Sequence, residues 1–296
     1  MPKGESGLSL KKEWKALCAV AVTLLLWASA FAGIKAGLSA YTPGQLALLR
    51  FIVGSASMAL YAKTRGFGLP EKRDILAILW VGFLGFTVYH VFLNYGEQTV
   101  SAGAASLIVS FTPVITALLA VFLLKERLNV FGWAGIAVSV AGVALISFGE
   151  SGGITLGTGS LLVLVSSLGS SLYNVFQKPL LKRYDPVALT TYAMIAGTLF
   201  MLVFLPGLAG VVREAPLGAT LSVVYLGIFP GAIAYSTWTY ALSRMPASRL
   251  VTSLYVSPVL AIAIAWLWIG EIPTLLSLVG GTVTLAGVVL TNAKGK

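Results

Sequence analysis

Residues 102–123 read AGAASLIVSFTPVITALLAVFL, a stretch that contains no charged side chain. A helix needs roughly 20 consecutive apolar residues to cross a bilayer, so this segment is long enough to span one. The same character extends over the whole chain, because 57% of its 296 residues are hydrophobic and only 10% are charged. The mean hydropathy is +0.91. Soluble domains carry about 25% charged residues, so we expect lipid to surround most of this chain.

Apolar runs separated by polar residues, glycines or prolines predict ten helices. The alternating pattern of a membrane β-barrel is absent. The sequence therefore predicts an all-α membrane protein. The predicted spans are 14–37, 44–62, 74–95, 102–123, 130–148, 157–178, 187–206, 218–242, 247–269 and 274–292.

The first predicted span has an alternative interpretation as a signal peptide. Lysines precede it, and Ala28-Ser29-Ala30 resembles a cleavage site. The apolar run continues to Gly37, however, and the internal repeat described below needs this helix. We therefore interpret it as a retained span.

Basic residues are concentrated on one side of the predicted bundle. Of the 20 Lys and Arg residues, 17 fall at the two termini or in loops on the same side, whereas Arg213 and Lys35 fall on the other. Short loops rich in Lys and Arg stay in the cytoplasm. The sequence predicts a multi-pass protein of the bacterial inner (plasma) membrane with both termini cytoplasmic.

The two halves of the chain repeat each other. A shift of 145 residues places Pro113 on Pro258, Glu126 on Glu271 and Gly135 on Gly280. A shift of 143 residues aligns the earlier part of the two halves. Five spans are an odd number, so the second copy would enter the membrane from the opposite face. The sequence predicts two inverted five-helix repeats, 14–148 and 157–292, which form one transmembrane domain around a central cavity.

Motifs in both repeats resemble a known family. The first repeat carries Trp27, Phe31, Lys35, Pro43, Arg50 and Phe51, followed by Ala104, Leu107, Pro113, Leu124, Glu126, Gly132, Gly135 and Gly142. This pattern resembles the EamA-type branch of the drug/metabolite transporter superfamily, and the chain is most similar to bacterial aromatic amino-acid exporters. The resemblance implies ten helices around a central cavity and export of amino acids or related metabolites. The second repeat has Ala193 where the first has Arg50, which excludes symmetric substrate binding by the two halves.

Helical spacing and the repeat together select candidate substrate-binding residues on faces that we expect to line the cavity. The alternative is that their polar groups form hydrogen bonds between packed helices. The predicted cavity is aromatic and uncharged, which suits neutral amino acids with a large apolar side chain. The candidates are Trp27, Phe31, Phe86, Tyr89, His90, Asn94, Ser110, Ser170, Tyr173, Asn174, Gln177, Tyr235, Trp238, Thr239 and Tyr255.

Three prolines fall in the interior of predicted spans, away from the ends, at Pro113, Pro230 and Pro258. A proline in a transmembrane helix frees a backbone carbonyl and kinks the helix. These positions are either pivots for transport or static packing kinks.

Few ionisable residues fall within the predicted spans. An arginine within the membrane is either a functional residue or part of a structural ion pair, and for Arg50 we favour a structural pair with Glu97. We expect Lys35 to extend toward the outer interface. We interpret Glu126 and Glu271 as helix-end anchors. His90, the only histidine, either couples transport to protons or donates a single hydrogen bond.

The composition excludes several classes of function. The chain has one His, one Cys and no acidic residue securely within a span. It therefore lacks the residues that an intramembrane active site, a metal site or a disulfide would need, and we expect no cofactor. The basic residues are too scattered for nucleic-acid binding. We expect a monomeric secondary transporter that exports aromatic and other neutral amino acids by alternating access. A passive channel, or an exporter of other small metabolites or drugs, is the alternative, and the energetic coupling stays open.

Overall fold

The computed structural model describes residues 3–124, 128–151, 157–242, 244 and 253–294, and the regular structure within these ranges is helical. Eight helices, α1 to α8, are long and apolar enough to cross a membrane, and α9 and α10 are shorter apolar helices. The prediction of an all-α membrane protein is confirmed. The helices are α1 (Trp14–Leu38, whose helix begins at Lys3), α2 (Pro43–Thr64), α3 (Lys72–Gly96), α4 (Ala102–Leu119), α5 (Val130–Ser151), α6 (Thr158–Leu181), α7 (Pro186–Phe204), α8 (Leu217–Ala241), α9 (Leu254–Ile269) and α10 (Leu275–Thr291).

These bounds agree closely with the ten predicted segments. The exception is the start of the ninth, because residues 245–252 lie outside the described part of the chain. A short helix, Leu208–Glu214, lies between α7 and α8. We call the end of the bundle with the α1–α2 and α3–α4 turns the outer end, following the predicted orientation, and the opposite end the inner end.

Helices α3 and α8 both change to π-helical hydrogen bonding part of the way along. The π segment of α3 is Phe83–Val88 and that of α8 is Gly227–Ile233. Pro230 lies within the second segment, where the wider turn accommodates a residue that has no N–H. A π segment rotates the side chains that follow it, and such segments are frequent at functional sites.

The other two prolines begin new helical pieces. Helix α4 is interrupted after Val109 and resumes at Thr112, which places Pro113 in a first turn. Pro258 likewise lies in the first turn of Ser257–Ile269. The expected kinks within continuous helices are therefore interruptions, because a first turn does not need the N–H that proline lacks. The Ser171 hydroxyl of α6 donates to the Thr112 carbonyl at the α4 break, over 3.1 Å.

Helices α5 and α10 pack on each other through glycines. A Cβ atom added to Gly142 would lie 2.6 Å from the carbonyl oxygen of Gly280, and one added to Gly280 would lie 2.6 Å from that of Gly142. Gly135 and Gly287 face each other in the same way. The glycines that lie seven residues apart in each of these two spans predict peripheral scaffold helices that pack within their own repeat. The two helices instead pack on each other across the two halves of the chain, because the small residues of each match the small residues of the other.

The remaining helices pack in matching pairs. Helix α1 contacts α8 and α9, while α6 contacts α3 and α4. Helix α2 crosses the π segment of α8, and α7 crosses that of α3. Gly54 and Gly197 lie at these two crossings, where an added Cβ would lie 3.2 Å from the Gly227 oxygen and 2.8 Å from the Gly82 oxygen, respectively.

The linker between α6 and α7 is fixed to the start of α3 at the inner end. Asp74 accepts hydrogen bonds from Arg183 Nη1 over 2.5 Å and from the Tyr184 hydroxyl over 2.6 Å. Partial burial and this bond to Asp74 raise the pKa of Tyr184 above its usual value. The tyrosine therefore stays protonated and keeps donating at physiological pH.

Candidate substrate site

Ring contacts join eight side chains from α1, α2, α3, α6 and α8 into one group, which we call the aromatic cluster. Seven of its members were predicted from the sequence, and Phe51 was not. Aromatic rings with centroids 4.5–7 Å apart attract one another beyond the area that they bury. The members are Trp27, Phe51, Phe86, Tyr89, His90, Tyr173, Tyr235 and Trp238.

Phe86 lies at the centre of the aromatic cluster and is fully buried. It is in the π segment of α3, and its ring centroid lies 5.5 Å from that of Phe51, 5.8 Å from Tyr173 and 5.7 Å from Tyr235. The absence of a side chain at Gly85 lets Tyr173 approach, since a Cβ there would lie 2.6 Å from the tyrosine Cγ.

Trp27 connects α1 to α8. Its indole Nε1 donates to the carbonyl of Pro230 over 3.2 Å, and its ring lies 5.3 Å from Tyr235 and 5.1 Å from Trp238. The hydrogen bond occupies a backbone carbonyl of the π segment, which fixes the tryptophan ring at the side of the cluster.

His90 lies on the outer side of the cluster. Its ring lies 4.5 Å from those of Phe51 and Tyr89. Both imidazole nitrogens are buried and have no hydrogen-bond partner in the described part of the chain. The prediction that His90 donates one hydrogen bond is therefore wrong for this conformation, because aromatic rings occupy its surroundings.

The remaining predicted residues lie outside the aromatic cluster. Phe31 and Asn94 are buried, and Asn94 Nδ2 donates to the Pro43 carbonyl over 3.0 Å. Ser170 and Tyr255 are half-buried. Four others bond within their own helices: Ser110 to the Leu107 carbonyl, Thr239 to the Tyr235 carbonyl, and Gln177 to Asn174.

Burial differs between the two ends of this region. His90 and Asn94 near the outer end are 3% and 0% exposed. The candidates toward the inner end are half-buried, namely Tyr173, Asn174, Gln177, Tyr235, Trp238 and Thr239. His90 and Asn94 are therefore more deeply buried than the candidates toward the inner end.

Arg50 lies next to the aromatic cluster, although it was not among the substrate-binding candidates predicted from the sequence. It is 3% exposed, its Cζ lies 5.2 Å from the Phe51 ring, and its charge interacts with Tyr235, Tyr89 and Glu97. The expected ion pair with Glu97 is wrong, because no nitrogen–oxygen pair between the two lies within 4.0 Å. We expected the site to be uncharged, and this buried guanidinium lies against Phe51 of the aromatic cluster. The exchange of Arg50 for Ala193 between the repeats is the signal that could have identified it.

An ion pair lies at the outer end of the bundle. Lys35 Nζ lies 3.3 Å from Glu271 Oε1, and the other oxygen of Glu271 accepts from the Ala102 backbone N–H over 2.8 Å. Lys35 is therefore paired and does not extend alone to the interface. The anchoring role of Glu271 agrees with these contacts, whereas Glu126 lies outside the described residues.

A cleft of about 510 Å³ lies at the outer end, between α1, α8 and α9, with Lys35, Ser39, Ser222 and Trp268 in its lining. It does not reach the aromatic cluster. The predicted central cavity is thus not this cleft, and it stays a prediction.

Comparison with known proteins identifies the family. The model of the EamA-like transporter family matches residues 14–148 and again 157–293. An uncharacterized transporter of Bacillus subtilis, YdfC, is 46% identical over 96% of this chain and 93% of its own length. A probable terminal-alkyne amino-acid exporter of Streptantibioticus cattleyicolor is 40% identical over 95% of this chain and 94% of its own.

A solved crystal structure matches 94% of this chain and 96% of its own, with a TM-score of 0.63 at 22% identity, which supports the fold alone. The family and these relatives are transporters and not enzymes. A small-molecule substrate and a membrane environment follow from that membership. The chain belongs to the EamA-like transporter family.

Proposed function

We propose that this transporter exports aromatic and other neutral amino acids by alternating access. The observation that carries the proposal is the aromatic cluster, to which five helices contribute side chains within the membrane-spanning region. At its centre, Phe86 of α3 contacts rings from α2, α6 and α8. Aromatic faces offer a large apolar side chain broad contact and stacking. The amino-acid exporter that is 40% identical supports the same substrate class.

Two inverted five-helix repeats provide the mechanism. The π segments of α3 and α8 begin at Phe83 and Gly227, which correspond within one residue under the shift of 145. The crossings of α2 with α8 and of α7 with α3 correspond in the same way, as does the contact of α5 with α10. These correspondences support ten spans in two repeats. Rocking one repeat against the other would expose the site to each side in turn.

The burial pattern supports a conformation closed to the outside. The Lys35–Glu271 ion pair lies at the closed end, and the half-buried candidates lie toward the inner end, where substrate for export would enter. In this mechanism the substrate-binding residues are the candidates from the sequence. The interruptions at Pro113 and Pro258 and the π segment at Pro230 act as pivots. We propose a monomer in the bacterial inner membrane with cytoplasmic termini.

The competing function is a passive channel or a carrier of other metabolites or drugs. A channel conducts without alternate closure, so preloading the opposite side would not stimulate flux. The packed outer end favours the carrier.

Counterflow into liposomes tests the substrate class. Vesicles that contain the purified protein and unlabelled amino acid are given labelled tryptophan, phenylalanine, threonine, lysine or glutamate. We expect uptake of tryptophan, phenylalanine and threonine, competed by one another and reduced in Trp27→Ala. Counterflow of none of the five by folded protein would refute the amino-acid assignment and leave the fold intact.

A further inference from the structure

Two opposite charges are buried beside the aromatic cluster and are not paired with each other. Arg50 of α2 is 3% exposed and Glu97, at the end of α3, is 0% exposed. Within the described ranges, the Arg50 atoms Nε and Nη1 and both carboxylate oxygens of Glu97 have no hydrogen-bond partner. A buried charge without a partner strongly destabilises a protein, so a partner is expected at some stage of the transport cycle.

The two groups are nevertheless close enough for their charges to interact. Arg50 also interacts with Tyr235 and Tyr89 of the aromatic cluster, and its Cζ lies 5.2 Å from the Phe51 ring. Glu97 interacts with Lys35 and Glu271 as well as Arg50, but Lys35 and Glu271 already form their own ion pair. No Arg50 nitrogen forms an ion pair with a Glu97 oxygen, so the two charges are more than 4.0 Å apart.

Both charges belong to the first repeat only. In the second repeat, Ala193 occupies the position that corresponds to Arg50, and Leu242 occupies the position that corresponds to Glu97. Because α7 crosses the π segment of α3 with an alanine at this position, the helix crossing itself does not require an arginine. The two charges are thus an asymmetric addition to a shared scaffold, as a site for an asymmetric ligand needs.

Building on the proposed function, we propose that Arg50 binds the α-carboxylate and Glu97 the α-ammonium group of the transported amino acid. A guanidinium presents a planar fork of N–H donors that matches a carboxylate. The amino acid carries its two charges on one carbon, so its head group can bridge the gap. Its side chain then packs toward Phe51 and the rest of the cluster. The site selects molecules with both a free amino group and a free carboxylate.

Analogues test the proposal on the unaltered protein. Dissociation constants are measured calorimetrically for phenylalanine, 2-phenylethylamine (which lacks the carboxylate) and 3-phenylpropanoate (which lacks the amino group). Since each missing group leaves a buried charge unpaired, we expect each analogue to bind about 10- to 100-fold more weakly than phenylalanine. Binding of either analogue within about threefold of phenylalanine would overturn the assignment of the corresponding residue.

Variants then assign each group to its residue. In Arg50→Met, phenylalanine should bind no more than about threefold better than 2-phenylethylamine, and in Glu97→Gln the same should hold against 3-phenylpropanoate. The exposed residues Arg213 and Glu214 provide matched controls, because Arg213→Met and Glu214→Gln should keep the wild-type ratios. If Arg50→Met weakens all three ligands by the same factor, the residue is structural and the proposal is wrong.

The outcome is separable from that of the proposed function. If the wild-type protein shows no amino-acid counterflow, the function fails. If counterflow occurs but the ligand ratios do not depend on Arg50 and Glu97, only this inference fails. Should Arg50→Met not fold, the analogue series on the wild-type protein still decides the proposal.

Discussion

Adding one methyl group at Gly142 tests the contact that joins α5 to α10. In Gly142→Ala the new Cβ would lie 2.6 Å from the Gly280 oxygen and 2.5 Å from the Thr284 backbone nitrogen. Ordinary contact begins near 3.4 Å, so the helices must separate by roughly 0.8 Å. Overpacking of this kind destabilises the folded state by about 1–3 kcal/mol. The higher helix propensity of alanine over glycine stabilises it by about 0.5–1 kcal/mol. We expect the free energy of unfolding to fall by about 1–2 kcal/mol.

The assay is denaturant or thermal unfolding of the purified protein in detergent, with Gly218→Ala as the control. A Cβ on Gly218 has open space around it, so that variant should be neutral or slightly stabilised. The double variant Gly142→Ala/Gly280→Ala should lose less than the sum of the single losses, because both methyl groups force the same displacement. Equal stability of Gly142→Ala and Gly218→Ala would refute the close packing of α5 on α10.

Three further predictions concern the site. Trp27→Ala removes two ring contacts and the hydrogen bond to Pro230, so the phenylalanine concentration for half-maximal counterflow should rise at least about tenfold. The rise should be smaller in Trp27→Phe, and an unchanged concentration would remove Trp27 from the site. In a Cys18→Ser background, a cysteine at half-buried Thr239 should react faster with a membrane-permeant maleimide than one at buried Asn94; equal rates would contradict closure at the outer end. Glu271→Gln should raise the maleimide labelling rate of the Asn94→Cys variant up to about fivefold, because a partly exposed ion pair contributes at most about 1 kcal/mol. An unchanged rate would show that the Lys35 ion pair does not hold the outer end closed.

The helices were predictable because their signal is local. A run such as 102–123 needs only its own length and composition to be recognised as a span. The break near Pro113 was predictable as a proline effect, but its form depends on whether the chain bends or restarts, which the surrounding packing decides. The π segment at Phe83–Val88 contains no proline, and nothing local in the sequence predicted it.

The aromatic cluster was largely predictable because periodicity and the repeat select one face of each helix. Phe51 was missed because the position of α2 in the bundle decides what its side chain meets. Arg50 and Glu97 were paired in the prediction by charge alone, yet their separation depends on the register of α2 against α3. Similarly, the glycines of α5 and α10 indicated close packing but not the identity of the partner helix.

Trans-stimulation of phenylalanine flux tests the central claim most directly. Proteoliposomes that contain the wild-type protein are either preloaded with unlabelled phenylalanine or left empty, and the uptake of labelled phenylalanine is followed over a range of outside concentrations. A carrier with alternating access predicts saturable uptake that is transiently higher in the preloaded vesicles and is absent from protein-free vesicles. Uptake that rises linearly with concentration and is indifferent to preloading would contradict the carrier, and no uptake above protein-free vesicles would contradict the substrate.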